Sequence, residues 1–155
     1  AGRFTPESVR DGMSADITTA APAIETTAAA ALPALLTRAY ARYSGFTVAA
    51  AIIDEHGDVH LGVNVENAAY PSGTCAEQTA IGAMITAGGR RIEKVLIAAG
   101  SDAVVQPCGA CRQRIAEFAS EACEIVAVQG GMPTARAGFW GLLPESFGPR
   151  DLDRG

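Results

Sequence analysis

Two cysteines three residues apart, Cys108 and Cys111, follow Pro107 at the start of a segment with helical character, and a third, Cys75, begins another. A helix start offers unpaired backbone N–H groups and the positive end of the macrodipole, and both stabilise a thiolate. Cys108 and Cys111 fall on one side of a first helical turn. Cys75 supplies a third sulfur if the two helix starts converge at one edge of a sheet. Three protein thiolates leave the fourth position of a tetrahedral zinc open to water, the arrangement of a catalytic site, whereas a structural site closes with a fourth protein ligand. Glu77, two residues after Cys75, stands where a helix start can aim it beside the metal without ligating it. A carboxylate there can move protons to and from a metal-activated water.

Other readings compete for the same residues. Cys108-Gly109-Ala110-Cys111 alone fits a redox dithiol, which has no use for Cys75 and Glu77. Cys123 as a fourth sulfur would close a structural zinc site, but it adjoins the apolar Ile125-Val126 run and suits core packing better. His56 and His60 lie far in sequence from the thiolates and read as surface or packing residues. Arg90-Arg91 reads as a solvated helix end.

These residues need a scaffold that brings two helix starts together. The chain has 155 residues, 48% of them apolar, which suits one domain. Residues 1–30 are rich in Thr, Ala and Pro and read as a flexible arm, with Met13 a candidate start; if Met13 is the start, 1–12 is cloning-derived, and that segment is set aside. The catalytic domain is expected over 31–155. The apolar spacing predicts a helix over 31–43, closed by Ser44-Gly45. Strands follow over 47–53 and 59–65, joined by the turn-forming Asp54-Glu55-His56-Gly57-Asp58. A helix over 75–88, a strand over 95–99, a helix over 108–118 and strands over 124–128 and 135–140 complete the pattern. The segment between the last two strands is too short for a parallel crossover, so they should be antiparallel. The expected fold is α/β: a three-layer α/β/α domain with a mixed five-stranded sheet.

The formal charge is −5, and the twelve cations, eleven Arg and Lys94, are scattered. Nothing forms the basic stripe that a phosphate backbone requires, so nucleic acid is not an expected partner. No apolar run reaches the roughly 18 residues of a membrane span and no secretory leader is evident, which predicts a soluble, cytoplasmic protein without a membrane partner.

Cys75-Ala76-Glu77 with Pro107-Cys108-Gly109-Ala110-Cys111-Arg112-Gln113 resembles the signature of the zinc deaminases. Within that class, Tyr43-Ser44-Gly45-Phe46 and Asn64-Val65-Glu66-Asn67-Ala68-Ala69-Tyr70-Pro71 resemble the small homotetrameric cytidine deaminases. The likeness runs over about 32–152. It implies one Zn2+ per chain on Cys75, Cys108 and Cys111, and hydrolytic deamination of free cytidine and 2′-deoxycytidine in pyrimidine salvage. Activated water would add at C4 of the cytosine, with Glu77 protonating N3 and then the departing amine. By the same likeness Asn64 and Glu66 would bind the ribose 3′-hydroxyl, Phe46 would pack against the nucleoside, and the Ala76 amide would contact the base. Tyr70 and Phe147 match positions through which adjoining subunits complete each other's pockets, implying a homotetramer with shared active sites.

The sequence also departs from the family. Gly45 and Thr47 stand where Asn and Pro are common, which changes loop stiffness and leaves Phe46 in place. Gln78 stands where many relatives carry Arg directly after the catalytic Glu. Three thiolates on a divalent ion leave a net negative centre that resists ionising the activated water, so either helix-start dipoles or Arg112 compensate or the water stays harder to ionise. Cytosine-headed antibiotic nucleosides share the reacting atoms with cytidine, but Asn64-Val65-Glu66-Asn67 favours plain nucleosides.

Overall fold

The computed structural model describes residues 17–101 and 103–152. Its elements run α1 (Ile17–Leu36), β1 (Val48–Asp54), β2 (Val59–Val63), α2 (Ala76–Ala87), β3 (Ile92–Ala99), α3 (Gly109–Ala116), β4 (Ala119–Gln129), β5 (Met132–Gly138) and a short α4 (Pro149–Leu152). The five strands form one sheet in the order β2-β1-β3-β4-β5. Of its neighbouring pairs, only β3 and β4 run parallel; β4 and β5 pair antiparallel, as expected from their short connection. Gly130 and Gly131, at φ +56° and +82°, form that turn, a conformation suited to a two-residue hairpin and open to glycine without strain.

Alternation along the strands sends neighbouring side chains to opposite faces, each covered by helix. Ala50, Ile52, Val95, Ile97 and Ile125 pack with Ala80 and Met84 of α2 and Ile115 of α3. Ala49, Ala51, Leu96, Val126 and Val128 pack with Ala28, Ala29 and Leu32 of α1. The result is the expected three-layer α/β/α arrangement.

The structure corrects the reading of the N-terminal segment. The first helix occupies Ile17–Leu36, not 31–43, and so takes in much of the supposed arm; the proposed start at Met13 and the segment 1–12 lie outside the described residues. Pro22 and Pro33 each remove an internal N–H donor, and the packing stripe is mostly alanine, so neither propensity nor periodicity announced the helix. Tertiary contacts hold it instead. Leu32 is fully buried, and truncation of such a leucine to alanine costs about 2–5 kcal/mol. The nearly buried Glu25 binds Lys94 at 2.7 Å and Arg136 on the sheet. After Leu36 the chain turns, and Tyr40 bridges to Val65, so residues 37–43 belong to an irregular segment.

Several strand bounds also differ. β3 begins at Ile92 and β4 at Ala119, earlier than the expected starts at 95 and 124, because Ile92 and Ala119 already pair with each other across polar residues that interrupt the apolar runs. β5 begins at Met132 and ends at Gly138, with Phe139 and Trp140 in a 3-10 turn beyond it.

The topology has one consequence for chemistry. Because β1 pairs antiparallel with both β2 and β3, the carboxyl ends of β2, β3 and β4 lie on one edge of the sheet. β2 leads to the start of α2 and β3 to the start of α3, so both helix starts reach that edge. In open α/β sheets this is the edge where ligands bind.

Candidate active site

Cys75 is the N-cap residue of α2 and Cys108 that of α3, both with extended backbone, and Cys111 lies in the first turn of α3. Gly62 of β2 allows α2 to approach: a Cβ placed there would lie 2.3 Å from the Ala76 carbonyl oxygen and 2.4 Å from the Ala80 nitrogen. That close contact seats the first turn of α2, and with it Cys75 and Glu77, against the sheet edge.

The Sγ atoms of Cys75, Cys108 and Cys111 all lie within 4.8 Å of one another, with Cys75 and Cys108 4.0 Å apart. Sulfurs on a tetrahedral zinc at about 2.3 Å stand about 3.8 Å apart, so this donor set fits the ion with little adjustment. Cys123 does not join the group. It is buried in the core beside Ile115 and Ile125, and burial pushes its thiol up to about 12, so the four-sulfur structural reading fails. His60 is buried against Asp54 at 2.7 Å and is likewise remote from the cysteine cluster.

The thiols differ electrostatically before any metal binds. Burial, followed by the charges of Glu77 and Cys75, pushes Cys111 far above the ordinary thiol range. Burial also raises Cys75, against a hydrogen bond from Cys111 that lowers it. At Cys108 burial raises the pKa too, but hydrogen bonds from the Cys111 backbone N–H and from the other two thiols outweigh it and leave the group below its ordinary value. Zinc binding must therefore displace protons from the thiols of Cys75 and the buried Cys111, which makes affinity fall as pH falls.

Glu77, 5% exposed in the first turn of α2, faces the same cleft. Its carboxylate makes no hydrogen bond among the described residues, so both oxygens remain available for proton transfer. The cleft has a volume of about 670 Å³ and falls within the range of small-molecule sites. Four segments line it: 43–48 before β1, 64–70 after β2, 73–77 at the start of α2, and 105–108 at the start of α3. Of the residues expected to contact substrate, Phe46, Asn64, Glu66, Tyr70 and Ala76 lie on this lining. Phe147 does not; it lines a separate groove with Trp140 and Leu143 and is 60% exposed.

The structure gives Asn64 and Glu66 a task that sequence reasoning missed. Asn64 Nδ2 donates to the Phe46 carbonyl at 2.9 Å, and its Oδ1 accepts the Val48 N–H at 2.8 Å. The Glu66 carboxylate accepts the Tyr43 N–H at 2.7 Å, the Ser44 N–H at 3.2 Å and the Ser44 hydroxyl. These bonds, Ser44 hydroxyl first, hold Glu66 below its usual pKa. Tyr43 meets Tyr70 edge-on at 6.5 Å at the mouth of the cleft. The signal for Tyr43 and Ser44 was their place in the Tyr43-Ser44-Gly45-Phe46 motif.

Arg112 is held by two backbone carbonyls. Its guanidinium donates to the Pro107 carbonyl at 2.8 Å and the Leu142 carbonyl at 3.0 Å, bracing the loop that carries Cys108. Those carbonyls are neutral and leave its charge in place next to Cys108 and Cys111, so Arg112 joins the helix starts and the Cys111 N–H as a source of charge compensation.

Comparison with known proteins agrees with this geometry. The family model for the cytidine and deoxycytidylate deaminase zinc-binding region matches residues 24–127. A cytidine deaminase of Sporosarcina psychrophila is 37% identical over 124 residues, covering 74% of this chain and 85% of that protein. A cytidine deaminase of Mycobacterium tuberculosis is 36% identical over 116 residues, covering 75% and 84%. The crystal structure of a Burkholderia pseudomallei cytidine deaminase superposes with a TM-score of 0.67 at 36% identity, covering 77% of this chain and 94% of that one. With the fold, the three-thiol cluster and this match in agreement, the chain belongs to the cytidine and deoxycytidylate deaminase family with its zinc-binding region.

Proposed function

We propose that this chain catalyses the hydrolytic deamination of free cytidine and 2′-deoxycytidine to uridine and 2′-deoxyuridine, releasing ammonia, as a step of pyrimidine salvage. The observation that carries the reading is the convergence of three thiols within 4.8 Å at two helix starts, with Glu77 beside them on one cleft. One zinc per chain, held by Cys75, Cys108 and Cys111, supplies Lewis acidity that makes water nucleophilic near neutral pH. Glu77 takes one proton from the attacking water and passes it to N3 of the ring, then takes the second from the hydroxyl now on C4 and delivers it to the amine as the C4–N bond breaks and the C4 carbonyl forms. The Ala76 amide orients the base and Phe46 forms a wall against it. Asn64 and Glu66 retain capacity for a ribose 3′-hydroxyl beyond the loop bonds they already make.

No helix among the described residues is long and apolar enough to cross a membrane, and the scattered cations favour a free nucleoside over a polynucleotide. We place the enzyme in the cytoplasm as a homotetramer. Exposed Tyr70 and Phe147, the latter away from its own cleft, suit a role in completing a neighbour's cleft.

Glu77→Ala and Cys108→Ala separate the roles. Glu77→Ala should retain zinc and lose about 10²–10⁴-fold in kcat, as expected for removal of a general acid and base. Cys108→Ala should lose zinc and activity together. Zinc lost from the first and retained with full turnover in the second would overturn the assignment.

A further inference from the structure

The wall that carries Phe46 and the strand end that carries Glu66 meet at one hydroxyl. Ser44 Oγ donates to Glu66 Oε1 and accepts the Phe46 N–H at 2.9 Å. Gly45 makes this possible: at φ +68° it folds the chain back so that the Phe46 N–H reaches Ser44, in a conformation costly for other residues. Asn64 completes the strap by holding the Phe46 carbonyl and the Val48 N–H.

An ionised carboxylate offers about four acceptor positions, and the Tyr43 N–H, the Ser44 N–H and the Ser44 hydroxyl occupy three on Glu66. The remaining capacity suits one further donor, of the kind a sugar hydroxyl provides. The hydroxyl of Ser44 has a single proton. With its oxygen already accepting from Phe46, that proton is directed at Glu66, which fixes the plane of the carboxylate.

We propose that Ser44 is a positioning residue for sugar recognition, its hydroxyl setting the Glu66 carboxylate and the Phe46 main chain in one network. The proposal rests on the reading of Glu66 as a ribose contact. It goes beyond that reading by assigning the geometry of the contact, and its coupling to the Phe46 wall, to a side chain that need not touch the substrate.

The test compares cytidine with 3′-deoxycytidine in the zinc-loaded wild type, Ser44→Ala, Ser44→Thr and Glu66→Gln. Ser44 is solvent-exposed, so its truncation leaves the core intact, and zinc content and urea midpoint serve as the folding check. In Ser44→Ala, KM for cytidine should rise about tenfold with kcat within about twofold, the scale of one hydrogen bond to a charged group. For 3′-deoxycytidine, which lacks the hydroxyl, kcat/KM should change less than about threefold. Ser44→Thr, which keeps a hydroxyl, should restore most of the cytidine KM. Equal losses on both substrates would reduce Ser44 to a structural loop residue, and no loss on either would remove its role; both outcomes overturn the proposal. Failure of the underlying reading looks different: wild type would use the two substrates equally, and Glu66→Gln would leave cytidine KM unchanged.

Discussion

Replacing Gly62 by alanine adds one methyl group where β2 presses on the first turns of α2. The new Cβ would stand 2.3 Å from the Ala76 carbonyl oxygen, 2.4 Å from the Ala80 nitrogen and 3.0 Å from the Ala80 Cα. All three are backbone atoms of a helix, so no side chain can swing aside, and relief requires α2 and β2 to separate by about 1 Å. Overpacking of this kind costs about 1–3 kcal/mol, and a purely backbone clash belongs at or above the upper end. The site should suffer more than the fold. A displacement of about 1 Å at a catalytic constellation costs on the order of 100-fold in rate, and this one moves Cys75 and Glu77 together. Gly82 is the control: it lies in the same helix, and a Cβ added there would meet nothing within 4 Å, so Gly82→Ala should leave activity intact and stabilise by up to about 1 kcal/mol. Urea unfolding, zinc content and kcat/KM for cytidine on both variants provide the measurement. A Gly62→Ala protein with wild-type stability and kcat/KM would refute the claim that this contact seats the site.

Two further expectations concern charge. Glu25, held down to about 2 from 4.5 chiefly by its hydrogen bond with Arg136, then by Lys94 against the opposing effect of burial, contributes stability that is present above pH 4.5 and lost as pH falls toward 2. The shift corresponds to a ceiling of about 3 kcal/mol, reduced to about 1–2 kcal/mol because Arg136 is 45% exposed. Glu25→Gln should therefore lower the urea-derived stability by that amount at pH 7 and by much less at pH 3; equal losses at both would contradict the ion-pair account. At the active site, Gln78→Arg should offset the negative charge of the three thiolates, moving the acid limb of the kcat profile to lower pH. Superimposable profiles would sink that expectation.

Much of the architecture was legible because it rests on periodicity and connection length. The β1–β2 hairpin followed from Asp54 through Asp58, and the antiparallel last pair from the short link after Gln129. The cysteine cluster was legible because helix starts, an i to i+3 spacing and a sheet edge are all sequence-readable. α1 was not, since its contacts come from Ala28, Ala29 and Leu32 and its anchor from Glu25 meeting residues 69 and 111 positions away. Arg112 could be recognised as a cation but not as one already committed to the Pro107 and Leu142 carbonyls. The loop-clamping task of Asn64 and Glu66 was equally hidden, because its partners are backbone groups that carry no side-chain signature. Phe147 looks outward from its own cleft, so its proposed contribution depends on a second copy of the chain.

The most direct test of the central claim pairs zinc content with the ultraviolet change on adding cytidine, before and after metal removal. The account predicts one zinc per chain, conversion to uridine with release of ammonia, loss of turnover on chelation and recovery when zinc is restored. Bound zinc without conversion would contradict the proposed substrate, and a metal-free protein with reactive thiols would contradict the catalytic metal site itself.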